Sequence, residues 1–141
     1  MSALLLKGIM EGDAKDHVAQ AKTYRAMLAV DPSNLFALNN LAYALADESP
    51  DEALKLALQA AQIAPNNPTV QDTLGTIYYR KGLYGMAVRY LKNAVDTGPS
   101  PRRQFHLGKS YLMTGDQTAG QKLVAEALKK DPSLAKTEQG W

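Results

Sequence analysis

The sequence contains no cysteine in 141 residues. That excludes disulfide cross-links, thiolate metal sites and cysteine nucleophiles. Histidine occurs only at His17 and His106, without the acidic or cysteine company of a metal motif. No apolar run approaches the roughly 18 residues of a membrane span. The opening "MSALLLKGIM" has an apolar patch, but no basic segment precedes it and no small-residue cleavage pattern follows, so no signal peptide is expected. Charge of one sign is also scarce: 16 basic residues stand among 14 acidic ones, for a net +2. With few basic clusters and no nucleic-acid motif, a nucleic-acid partner is not expected.

Catalytic inventory is thin as well. No glycine-rich strand-to-helix loop offers a phosphate cradle. The serines fall mostly at caps and turns rather than beside a histidine. "DESPDE", Asp47 to Glu52, is acidic but lacks the ligand spacing of a calcium loop. No enzyme activity, cofactor or bound metal is therefore expected. What remains is the composition of a soluble folded domain, 45% hydrophobic and 21% charged.

A repeat organises that composition. Pro32, Pro65, Pro99 and Pro132 are spaced 33, 34 and 33 residues apart. Leu41-Ala42, Leu74-Gly75 and Leu107-Gly108 run in step, again 33 apart. A period near 34 built from two helices per unit indicates a solenoid. In the first helix of a unit, Leu74, Gly75 and Tyr78 share a face, as do Leu107, Gly108 and Tyr111. Gly82 and Gly115 are expected to stop these helices. In the second helix Ala87, Leu91, Ala94 and Val95 share a face. Asn67-Pro68 and Ser100-Pro101 read as a cap followed by proline in the first turn. Ser49-Pro50-Asp51-Glu52 reads as a capping box. A glycine inside a helix costs about 1 kcal/mol relative to alanine, so Gly75 and Gly108 imply close helix packing.

These residues resemble the tetratricopeptide repeat, whose pattern is a bulky residue, Leu-Gly, a Tyr three further on, a glycine turn, two alanines and a closing proline. Leu74, Gly75, Tyr78, Gly82, Tyr84, Ala87, Leu91, Ala94 and Pro99 match it best. Leu107, Gly108, Tyr111, Gly115, Ala127 and Pro132 match again, with Gly120 where the family prefers alanine. Leu41, Ala42, Ala53, Ala60 and Pro65 form a third match, its turn one residue short. The expected fold is all-α: a right-handed superhelix of antiparallel helix pairs. The expected organisation is a degenerate first repeat over residues 1–33, repeats at 34–66, 67–100 and 101–133, and a partial capping segment at 134–141, all in one solenoid. The first repeat should hold a short helix near Ala3–Met10 and a long one near Ala14–Val30. "SLAKTEQGW" is too short for a full capping helix. Leu123, Val124 and Ala127 are then only partly covered, unless a turn carrying Leu134 and Trp141 folds over them.

The resemblance implies that first helices line a concave, partner-binding side. Residues there that point away from the packing face are Asn39 and Tyr43, then Asp72, Thr76, Tyr79 and Arg80, then Arg102, Phe105, His106, Lys109, Leu112 and Met113. The mixture of aromatic, aliphatic and cationic groups is that of interface hot spots. Tyr79 and Phe105 fit groove contact or packing between repeats; Arg80 and Lys109 fit a partner or a solvated face. His106 reads as a lone surface histidine. The clamp by which some family members hold a chaperone's C-terminal carboxylate is incomplete here. Of Asn39, Tyr43, Thr73, Arg102 and His106, only the last two have the right charge character. The reading that follows is a protein-interaction module holding a peptide or helix with acidic and apolar residues, in an adaptor role. The alternatives are a self-associating scaffold, a homo-oligomer, or the adaptor domain of a larger protein.

Overall fold

The structure, a computed structural model, describes residues 17–141. Every regular element among the described residues is helical. The helices are α1 (His17–Val30), α2 (Leu35–Leu45), α3 (Pro50–Ile63), α4 (Pro68–Arg80), α5 (Tyr84–Thr97), α6 (Pro101–Thr114), α7 (Gln117–Lys130) and a single turn, α8 (Leu134–Thr137). Within each unit, short connections make successive helices antiparallel partners. The expected helix near Ala3–Met10, and residues 14–16 of the next, lie outside the described residues. Two compact units are present, one ending at Pro65 and the other spanning Asn66–Trp141.

In the first unit α2 packs against both α1 and α3. Tyr24 and Met27 of α1 meet Ala37 and Leu41 of α2, with Leu28, Leu45 and Leu56 around them. Asn34 caps α2, its side-chain oxygen accepting the Ala37 N–H at 3.0 Å. The capping box expected at Ser49 does not form. Ser49 occupies the cap position and its carbonyl accepts the Ala53 N–H, but its side chain makes no capping hydrogen bond. Glu52 instead accepts a charge-assisted hydrogen bond from Arg25 at 2.7 Å. Ionised partners bind more strongly than a neutral backbone amide, so the glutamate follows the cation rather than the cap.

The second unit repeats one hairpin twice, α4 with α5 and α6 with α7, and α6 also packs on α5. The helix starts are satisfied as the sequence suggests. The Asn67 side chain accepts the Thr69 and Val70 N–H groups at 2.9 and 3.4 Å, and Ser100 Oγ accepts the Arg103 N–H at 3.1 Å. Gly82 and Gly115 turn the chain with φ of 76° and 94°, a left-handed conformation that side-chain-bearing residues rarely adopt.

Within each hairpin a glycine sets the helix separation. A Cβ placed on Gly75 would lie 2.4 Å from Leu91 Cγ, and Leu91 is itself fully buried. In the next hairpin Gly108 and Gly120 face each other, each so close to the other's carbonyl that an added Cβ would stand 3.0 and 2.9 Å from it. Large residues fill the flanks: Ala87, Leu91 and Leu107 form a buried cluster bordered by Tyr78, Tyr111 and Leu123. Tyr78 stacks on Tyr90 with ring centroids 5.4 Å apart. The segment after α7 does fold over the last hairpin. Leu134 joins buried Phe105 and Ala127, with Val124, Leu128 and Trp141 packed against them.

Gly75→Leu should destabilise the second unit by about 3 kcal/mol or more, because overpacking against a buried side chain forces backbone shifts. At Gly85 an added Cβ meets nothing within 4 Å, so Gly85→Ala should be neutral or stabilising by up to about 1 kcal/mol. Urea titrations of both variants, followed by helical circular dichroism, measure the contrast.

Candidate functional site

Most of the expected partner-binding residues lie in the second unit, on α4 and α6. Helical spacing of three or four places Asp72, Thr76, Tyr79 and Arg80 along α4, and Arg102, Phe105, His106, Lys109, Leu112 and Met113 along α6. In the first unit, Asn39 of α2 is buried and Tyr43 is at the surface. The two sets belong to different compact units.

The structure brings Asp72, Arg102 and His106 together. His106 has no exposed surface, so it is not the surface histidine expected. Its Nδ1 lies 2.9 Å from Asp72 Oδ1 and its Nε2 lies 3.2 Å from Glu138 Oε1. A buried charged group persists when partners compensate it, and both carboxylates have them. Arg102 donates to Glu138 and stands 3.9 Å from Asp72; Arg103 stands 4.0 Å from Asp72. Arg103 is also a structural clip, donating to the Gly98 carbonyl at 2.6 Å and to Thr69 Oγ1 at 3.1 Å. Burial opposes ionisation of Glu138 most strongly. The His106 hydrogen bond, with the charges of Arg102 and His106, outweighs it, and the carboxyl titrates below its ordinary range. The two carboxylates hold opposite nitrogens of one ring and do not converge. Among the described residues no cluster of His, Asp or Glu could hold a metal ion.

Beside the ionic cluster lies an aromatic one. Trp141 stacks on His106, with centroids 4.0 Å apart and planes 9° from parallel. The same indole lies 4.4 Å from the Tyr79 ring, and Tyr79 meets Tyr84 edge-on at 5.2 Å. The Arg80 guanidinium covers the indole at 5.1 Å and donates a hydrogen bond to the Gly140 carbonyl. Cations over aromatic faces are attracted by about 0.5–1 kcal/mol at exposed sites and more when desolvated. Burial also pushes the Tyr79 phenol up, with Tyr84 adding to the shift.

The remaining expectations divide. Phe105, for which groove contact and packing between repeats both stood open, is buried at 4% exposure against Ala127 and Leu134, with the Lys109 ammonium 5.4 Å from its ring. Packing therefore accounts for it. Thr76 is buried too, its hydroxyl donating to the Asp72 carbonyl at 2.9 Å. Met113 is exposed, and Leu112 packs over Gly120. Glu138 and Trp141 were not among the expected site residues, yet both sit at its centre. The register held a signal: Glu138 falls 33 residues after Phe105, which falls 33 after Asp72, so the segment occupies the place of a next first helix.

Residues 73–135 match the sequence profile of the tetratricopeptide repeat. The chain is a tetratricopeptide-repeat protein. A TPR repeat-containing protein from Pseudomonas aeruginosa is 33% identical over 111 residues, which cover 77% of this chain but 19% of that protein. The chain thus spans about a fifth of the curated relative it matches. Among solved structures, a thermophilic TPR protein of Thermus thermophilus superposes with a TM-score of 0.80 at 20% identity, covering 92% of this chain and 73% of that one. MamA from Desulfovibrio magneticus RS-1 superposes at 0.76 with 18% identity, covering 92% and 75%. Identities this low speak to the fold. The repeat architecture is commonly a protein-interaction scaffold. Among the described residues no helix is long and apolar enough to cross a membrane.

Trp141 is the sole tryptophan, so its fluorescence reports the state of these repeats' aromatic cluster. Because the Glu138 carboxyl is depressed on docking, docking is favoured above the ordinary carboxylate pKa, about 4.3, and weakens as pH falls through the lowered value. Emission should shift red as pH falls below the ordinary carboxylate range. Glu138→Gln should shift emission red at neutral pH and flatten the acid transition.

Proposed function

We propose that this chain is a protein-interaction module in which the face of α4 and α6 binds a peptide or helix of a partner protein, in an adaptor role. The observation that carries the reading is that Tyr79, Arg80, Arg102 and His106 together hold a non-helical peptide segment through a carboxylate, a carbonyl and an aromatic ring. Cationic and aromatic groups on this face favour a partner segment with acidic and apolar residues. Lys109, Leu112 and Met113 of α6 complete the proposed surface. Asp72 and Thr76 serve it from beneath, holding His106 and the helix turn. Phe105 supports it by packing. We read the repeats as one continuous domain bounded as the sequence suggests. The same inventory supports a non-catalytic role without a nucleic-acid partner.

A panel of acidic and apolar peptides, titrated by fluorescence anisotropy, tests the face. Arg80→Glu combined with Lys109→Glu should weaken binding at least about tenfold, or roughly 1.4 kcal/mol, with helix content unchanged. Unchanged affinity removes this face from consideration.

Self-association is a second reading, favoured by large apolar side chains at the surface of the first unit: Val30 at 80% exposure, Ile63 at 49% and Leu58 at 42%. Apolar surface of this kind marks an interface when it is contiguous. Light scattering after size exclusion should give a mass that rises with concentration on this reading. A constant monomer mass eliminates it.

A further inference from the structure

Building on the interaction-module reading, we propose that Glu138–Trp141 is an internal occupant of a peptide-recognition site on α4 and α6. We assign that site to a partner protein segment with a carboxylate side chain three residues before an aromatic one.

The contacts define the pattern. Recognition of the segment falls at its two ends. Arg102 and His106 hold the Glu138 carboxylate, while the His106 face, Tyr79 and Arg80 hold the Trp141 ring. Between them Arg80 reads a main-chain carbonyl, that of Gly140, which any residue supplies. Gln139 is exposed, so this position carries no side-chain requirement. All four holding residues belong to helices that the repeat packing fixes in place. The segment itself is held across 32 to 60 residues of sequence by side-chain contacts, outside the regular helices.

The occupant is also an imperfect fit. The Trp141 indole N–H is buried and meets no acceptor among the described residues. A desolvated donor without a partner opposes docking. A phenylalanine at the same place would keep the stack and the cation contact without that penalty. What holds the native segment in spite of this is tethering. A short linker raises the effective concentration of an attached ligand to about millimolar. A free partner segment must therefore compete, and the fraction of open site scales its apparent affinity.

The test uses the whole chain and an amidated peptide of its own residues 135–141 carrying phenylalanine for Trp141, sequence AKTEQGF. Added unlabelled to the wild type, this peptide should shift Trp141 emission red as it displaces the native segment. Labelled, it should bind the Trp141→Ala chain at least about tenfold more tightly than the wild type, since the native segment is then held at its Glu138 end alone and leaves more readily. Arg80→Glu in that background should abolish the gain, and glutamine for glutamate in the peptide should weaken binding about tenfold, the loss of a charge-assisted pair. Equal affinity for both chains, or saturation without any change in Trp141 emission, overturns the proposal. Should Trp141→Ala lose helix content, the displacement on the wild type decides alone. If other acidic and apolar peptides bind while AKTEQGF does not, this inference fails and the module reading stands. If no peptide binds either chain, both fall. A wild-type emission that depends on protein concentration, with a dimer in light scattering, gives the site to a second copy and overturns assignment to a partner.

Discussion

Two helices that bury their apolar stripes against each other can approach only as closely as the residues between them permit. In the second unit that approach is set by Gly75 against Leu91 and by Gly108 against Gly120. Within the first of these hairpins the close approach brings Tyr78 onto Tyr90. The second hairpin packs on the first through Leu107 against Ala87 and Leu91, and there Asp72 of α4 reaches His106 of α6. A larger residue at any of these glycines would open the hairpin, and the ionic and aromatic clusters would lose their geometry together. The helix-interior glycines, each less favourable than alanine by about 1 kcal/mol, are thus explained by tertiary packing.

On that frame the chain builds a site of complementary halves. One half is ionic: His106, wholly buried, bridges Asp72 and Glu138, and arginines flank both carboxylates. Removing one partner of such a group leaves a buried charge without compensation, which is strongly destabilising. The other half is a stack of His106, Trp141 and Tyr79 under the Arg80 guanidinium. His106 belongs to both halves, so loss of the carboxylate at one end disturbs the ring that supports the aromatic at the other. This coupling ties the acid sensitivity of Glu138 to the position of Trp141.

Periodic features were legible without coordinates because they arise from short-range chemistry. The spacing of Pro32, Pro65, Pro99 and Pro132, the Asn67 and Ser100 caps and the left-handed Gly82 and Gly115 each depend on a few neighbouring residues. Ser49 and Glu52 misled because a local pattern competed with Arg25, distant in sequence and close in space. His106 misled for a related reason, and Phe105 was left open between two readings. Their helix face is solvent-facing in an open repeat, but a segment from beyond Pro132 covers it. Helical periodicity says which face a residue occupies and is silent about what returns to cover it. The lone tryptophan, and the acidic residue one repeat period beyond Phe105, were the available signs.

The account stands or falls on the contact between Trp141 and the α4–α6 face. Nuclear Overhauser spectroscopy of the wild-type chain at neutral pH measures it directly. The predicted result is strong cross-peaks from the Trp141 indole protons to the His106 and Tyr79 rings, with His106 ring protons shifted upfield by the stacked indole. An indole at random-coil shifts, without cross-peaks to either ring, would contradict it.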